Sequence, residues 1–123
     1  MLYAILCYNS EEIVCSWTKA QDDAVMERLA AVHGRLEREG RLGPTVRLMP
    51  TTAATTIRKS DESIVLDGPF VETKEQLLGF YLVDCKDLDE AVGVARELLA
   101  ANEGTGGYEI RPLKVLIPGS LPR

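Results

Sequence analysis

The chain opens with a short apolar run, Met1 to Tyr8, in which Tyr3, Ile5 and Tyr8 favour extended backbone and which stops at Asn9-Ser10. A run of this kind bounded by turn residues predicts a first strand, placed centrally in its sheet. A polar loop follows. From about Lys19 to Glu39, the residues Val25, Leu29, Val32 and Leu36 recur at spacings of four, three and four, which gathers them into one stripe on a helix. Gly40 supplies a left-handed stop, and Arg38 and Arg41 stand near the negative end of the helix dipole.

Beyond Leu42 the period shortens. Three β-type pieces, Thr45 to Met49, Ala53 to Arg58 and Ser63 to Leu66, are punctuated by Pro44, Pro50 and Lys59-Ser60-Asp61-Glu62, and the last two predict a hairpin. Asp67-Gly68-Pro69-Phe70 breaks the strand, and the capping-box form of Thr73-Lys74-Glu75-Gln76 predicts one helical turn after it. Gly79 to Val83 is a near-continuous apolar strand. Asp87-Leu88-Asp89-Glu90 caps a second helix, on which Leu88, Ala91, Ala95 and Leu98 share a face as far as about Ala101. Gly104, Gly106 and Gly107 end it, Tyr108 to Ile117 reads as a closing strand, and Pro118 to Arg123 as a loose tail.

This order predicts an α+β fold, a ferredoxin-like antiparallel sheet with two helices on one face. Strands such as Ala4 to Tyr8 and Phe80 to Val83 are apolar at nearly every position, so both faces of the sheet call for cover while the helices supply only one. A second copy of the chain is the simplest cover, and a homodimer is expected. The 123 residues show no internal repeat or second domain, so residues 1–123 are expected to form one domain.

Composition narrows the classes of function. Apolar residues make up 46% and charged residues 27%, as in ordinary globular proteins. The net charge of −5, with basic residues scattered, offers nothing to track a phosphate backbone, which argues against nucleic acid as a partner. No run approaches the roughly 18 apolar residues of a membrane span, and the opening residues lack the basic flank and cleavage site of a signal peptide, so a cytoplasmic protein without a membrane partner is expected. The three cysteines, Cys7, Cys15 and Cys85, form no C-x-x-C pair, and with a single histidine they give no metal-ligand spacing. Neither a G-x-G-x-x-G nor a P-loop pattern occurs, and no cofactor is expected.

The stretch Leu66-Asp67-Gly68-Pro69-Phe70-Val71-Glu72-Thr73-Lys74-Glu75-Gln76-Leu77-Leu78-Gly79-Phe80 resembles the motif that names the DGPF branch of the YCII-related proteins. Pro50 to Thr56, Asp89-Glu90-Ala91 and Tyr108-Glu109-Ile110-Arg111-Pro112 are also similar to that family, so the likeness covers nearly the whole chain. The resemblance implies a ferredoxin-like subunit that pairs sheet to sheet as a dimeric α+β barrel. It implies several functions rather than one: some YCII-related proteins carry a proposed histidine–aspartate active-site pair, one member removes chloride from a chlorinated hydroquinone, and part of the family resembles accessory proteins encoded beside extracytoplasmic-function sigma factors.

Candidate chemistry centres on Asp67, a carboxylate at a strand end before a Gly-Pro turn. Burial beside Phe70 would fit it as a base, whereas hydrogen bonds from the amides of the turn would make it structural. His33, the sole histidine, stands on the margin of the first helix's stripe, a position that permits either reach into a cleft or half-burial. The histidine position of better-known YCII proteins aligns about one turn earlier, near Leu29. Lys74 can hold an anionic oxygen while Glu72 and Glu75 flank it, or all three belong to a solvated face. Arg47, Arg58 and Arg111 fall on strands, where an inward side chain needs a carboxylate or an anionic ligand. Tyr81 lies within an apolar strand and its hydroxyl needs a partner when buried. Two readings follow: a cofactor-independent acid–base enzyme, eliminating or isomerising a small anionic or phenolic molecule, with Asp67, His33 and Lys74 catalytic and Arg47, Phe70, Glu72, Glu75, Tyr81 and Arg111 around the substrate; or a non-catalytic ligand-binding or regulatory dimer with a sigma-factor partner.

Overall fold

The computed structural model describes every residue except Asp61, Ser63, Glu103, Gly104, Pro122 and Arg123. The expected turn at Lys59 to Glu62, strand start at Ser63, helix stop at Gly104 and end of the tail fall wholly or partly outside the described residues. In chain order the elements are β1 (Leu2–Asn9), α1 (Glu11–Cys15), α2 (Lys19–Arg38), β2 (Leu42–Arg47), a 3₁₀ turn (Thr51–Ala53), β3 (Thr55–Ile57), β4 (Val65–Asp67), β5 (Gln76–Asp84), α3 (Leu88–Ala101) and β6 (Gly107–Pro112).

Four strands form an antiparallel sheet in the order β2-β5-β1-β6, and β3 and β4 form a separate two-stranded hairpin. Alternation along the strands sends Tyr3 and Ile5 of β1 and Tyr81 and Val83 of β5 to one face, where they are buried with Val25, Leu29 and Leu36 of α2 and Ala91, Val94, Ala95 and Leu98 of α3. The fold is the expected α+β arrangement of ferredoxin-like type. On the opposite face Leu2, Ala4, Leu6, Tyr8, Val46, Phe80 and Leu82 alternate with these core residues and are only partly buried.

Caps place the two long helices. Thr18 Oγ1 accepts from the Gln21 amide at 3.1 Å and Gln21 Oε1 accepts from the Thr18 amide at 2.9 Å, a reciprocal box that starts α2. Gly40, at φ 68°, ends it, and the Arg41 amide donates back to the Leu36 carbonyl at 2.9 Å. Asp87 accepts from the Glu90 amide at 2.9 Å and starts α3.

Three local expectations are corrected. The loop after β1 contains α1, capped by the Ser10 hydroxyl accepting from the Ile13 amide at 3.4 Å; five residues are too few for apolar periodicity to show. Thr73 to Gln76 forms no helical turn, because Gln76 pairs with Asn9 as the first residue of β5 and its Oε1 accepts from the Glu11 amide at 3.0 Å. The closing strand stops at Pro112 rather than Ile117, because β1 offers it no partner beyond Leu2, whose carbonyl takes the Leu113 amide at 3.0 Å.

Candidate functional site

β1 and β5 are in register from Leu2↔Asp84 to Cys7↔Gly79, then shift so that Tyr8 faces Leu77, leaving Leu78 as the extra residue of a β-bulge. Just there the sheet and α2 separate. A cavity of about 170 Å³ lies between them, walled by Met26, Leu29 and His33 of α2, Cys7 and Asn9 of β1, Leu78 to Tyr81 of β5 and Tyr108 of β6, with Val14 and Trp17 also lining it. Its walls are mainly apolar, with a few polar atoms directed inward, the usual constitution of a small-molecule site.

The polar centre of this cavity is a pair. His33 Nε2 lies 3.2 Å from Tyr81 Oη, and the rings meet edge to face with centroids 5.2 Å apart. His33 is on α2 and Tyr81 is 48 residues further on, so helix phase and strand register together make the contact. Burial pulls the imidazole below its ordinary pKa, and the Glu37 carboxylate opposes this more weakly. Burial pushes the Tyr81 phenol well above its ordinary value, Cys7 and Tyr108 add to the rise, and Arg47 counters it. At neutral pH the pair therefore consists of a neutral imidazole and a protonated phenol.

Around the pair, Asn102 Nδ2 donates to Tyr108 Oη at 2.9 Å, and Asn9 Oδ1 accepts from the Ser10 amide at 2.8 Å. Burial drives the Cys7 thiol up to about 12 although its hydrogen bond with Tyr108 lowers it, which leaves no thiolate for nucleophilic work near neutral pH. The helix α1 that carries Val14 is tied down by Glu11, whose carboxylate accepts from the Thr51 amide at 2.7 Å and also from the Thr51 hydroxyl.

The residues singled out from sequence divide sharply. His33 and Tyr81 meet in the cavity, and Arg47 stands on its rim, exposed, bonded to Asp22 at 3.2 Å; this is the carboxylate partner that a strand arginine needs. Asp67 ends β4 on the hairpin and is exposed, Phe70 beside it is also exposed, and the Arg58 guanidinium lies 4.7 Å above the Phe70 ring. Neither Asp67 nor Phe70 lines the cavity. Lys74 lines a separate shallow depression with Glu11, Thr51 and Gln76, and Glu72 and Glu75 are exposed in the same segment. Arg111 is an exposed residue of β6 opposite Ala4, on the face away from the helices. Cys7, Asn9, Asn102, Tyr108 and Trp17 were not chosen as site residues from sequence; for Cys7 and Asn9 the signal was present, since alternation from Ile5 assigns both to the helix face.

Among the described residues no cluster of three or more histidine, cysteine or carboxylate side chains could hold a metal ion, and no helix is long and apolar enough to cross a membrane. A family model described as the YCII-related domain matches residues 1–117. An uncharacterized protein of Rhizobium meliloti (strain 1021) is 58% identical over 123 residues, an alignment that covers 99% of each chain.

Proposed function

The chain belongs to the YCII-related domain family, and from that premise we propose that it is a cytoplasmic homodimer of the DGPF branch that performs cofactor-independent acid–base chemistry on a single-ring anionic or phenolic molecule. The observation that carries this reading is the His33–Tyr81 hydrogen bond inside an apolar cavity. The cavity, at about 170 Å³, is of the size that admits one six-membered ring, since an apolar protein cavity of about 150 Å³ binds benzene.

The pair can move a proton in either tautomer. With Nε2 bare, Tyr81 donates to it, and a substrate proton passing to Oη is matched by the phenolic proton passing to the imidazole. With Nε2 protonated, His33 donates to Oη, and the phenolic hydrogen turns into the cavity toward a substrate oxygen. Both arrangements place the mobile proton at Oη, so the base role assigned to Asp67 from sequence passes to His33 acting through Tyr81. Pairing through the open face of the sheet is supported by Leu2, Leu6, Tyr8 and Leu82, which alternate away from the helix-covered core and stay partly exposed.

A set of monocyclic phenols and benzoates tests the reading by proton resonance. Ligands that bind should shift the His33 and Tyr81 signals, and ligands with an acidic C–H should exchange it for solvent deuterium about 100-fold faster with wild type than with His33→Asn. Binding with equal exchange in both proteins would defeat the catalytic reading and leave a ligand-binding regulatory dimer, the form in which a sigma-factor-like partner becomes the next candidate.

A further inference from the structure

The hairpin of β3 and β4 is unusual for what it lacks. Its strands are three residues each, and they pack on each other with no comparable contact to the four-stranded sheet or the helices. Ile57 and Val65 are directly opposed on one face and stay 68% and 60% exposed, Leu66 on the other face is 45% exposed, and Phe70 just beyond is 63% exposed. Two short strands alone are marginal in water, and a β-branched cross-strand pair stabilises them only when it is covered.

The subunit as a whole is under-covered. A compact protein of 13.5 kDa exposes about 6,500 Å². This chain exposes 8908 Å², an excess of about 2,400 Å². Transient contacts bury well under about 800 Å² per partner, whereas permanent homodimers bury about 1,000–2,500 Å² per subunit. The excess, to which the exposed segment 114–121 contributes beside the hairpin and the open sheet face, is of the size a permanent partner would cover, and a two-fold pair of identical chains is the commonest way to supply one.

We infer that the β3–β4 hairpin is an exchanged arm: in the pair of subunits, the hairpin of each copy lies against the other copy, which covers Ile57 and Val65. The inference rests on the paired-subunit reading proposed above and adds to it a second contact region outside the sheet face. Reciprocity follows from two-fold symmetry, so each interface variant acts twice per dimer.

Sedimentation of the purified full-length protein from nanomolar to high micromolar concentration tests it, with Ile57→Lys/Val65→Glu as the variant, chosen because an opposite-charge pair preserves hairpin pairing. The expected result is a wild-type dimer and a variant whose dissociation constant rises about 100-fold or more with unchanged far-ultraviolet circular dichroism. In parallel, the backbone amides of residues 55–57 and 65–67 should lose exchange protection as wild type is diluted to monomer, and Ile57→Lys and Val65→Glu made singly should each weaken the dimer in the same direction. A wild-type dimer that the variants leave within about threefold of its original affinity, with hairpin protection independent of concentration, would overturn the arm and spare the sheet-to-sheet pair. A wild type monomeric at every concentration would defeat the paired-subunit reading itself, and the arm with it.

Discussion

His33 is the chain's single imidazole, so its titration can be followed without assignment ambiguity. Its pKa in the folded chain is lowered, first by burial, against an ordinary value of 6.5. A histidine with a depressed folded pKa binds its proton more weakly than the unfolded chain does; its contribution to stability is therefore complete above pH 6.5 and is lost as the pH falls through the folded value. The expected outcome is an NMR midpoint for the imidazole below that of an unfolded control. Tyr81→Phe should change this midpoint while leaving the fold intact, and a midpoint at or above the control would refute a neutral resting imidazole. Both members of the pair could be singled out from sequence, one by being the only histidine and the other by being a tyrosine in an apolar strand. Their meeting could not, because it depends on how far α2 is rotated over β5, which no local pattern encodes.

At the scale of elements, Gly40 and the Asp87 cap made the end of α2 and the start of α3 legible almost to the residue, since each closes its hydrogen bonds within four or five residues of sequence. Thr73 to Gln76 misled for the converse reason: the same local signal was present, but pairing with Asn9 and the bond to Glu11 drew Gln76 into β5. Tertiary partners outweigh a propensity of a few tenths of a kcal/mol. Two glycines make the contrast measurable. Gly106 holds φ 108° at the turn into β6, and a Cβ there would lie 2.2 Å from the Tyr8 carbonyl oxygen, so Gly106→Ala should cost at least ~1–3 kcal/mol in denaturant unfolding. Gly93 lies inside α3 with open space where a methyl group would stand, so Gly93→Ala should instead stabilise by about 0.5–1 kcal/mol.

For the whole molecule, the apolar strands lead from sequence to the expectation of a second copy over one face of the sheet, the pairing proposed above. The exposed hairpin was harder to foresee, because Thr55 to Asp67 reads as an ordinary pair of strands and only the folded chain reveals that Ile57, Val65 and Leu66 stay exposed on it. If two copies cover each other, stability becomes a function of protein concentration, and the melting temperature should fall on dilution. A melting temperature that does not move across the dimer–monomer range would count against the pairing. The bulge in β5 carries a different consequence. Since Gly79 already faces Cys7 and Leu77 already faces Tyr8, excising Leu78 would shorten that strand without turning any of its neighbours to the opposite side of the sheet along β1. The chain thus contains one position where its length is negotiable, and a natural or engineered loss there would remodel one wall of the cavity while Gln76 keeps its hold on Glu11.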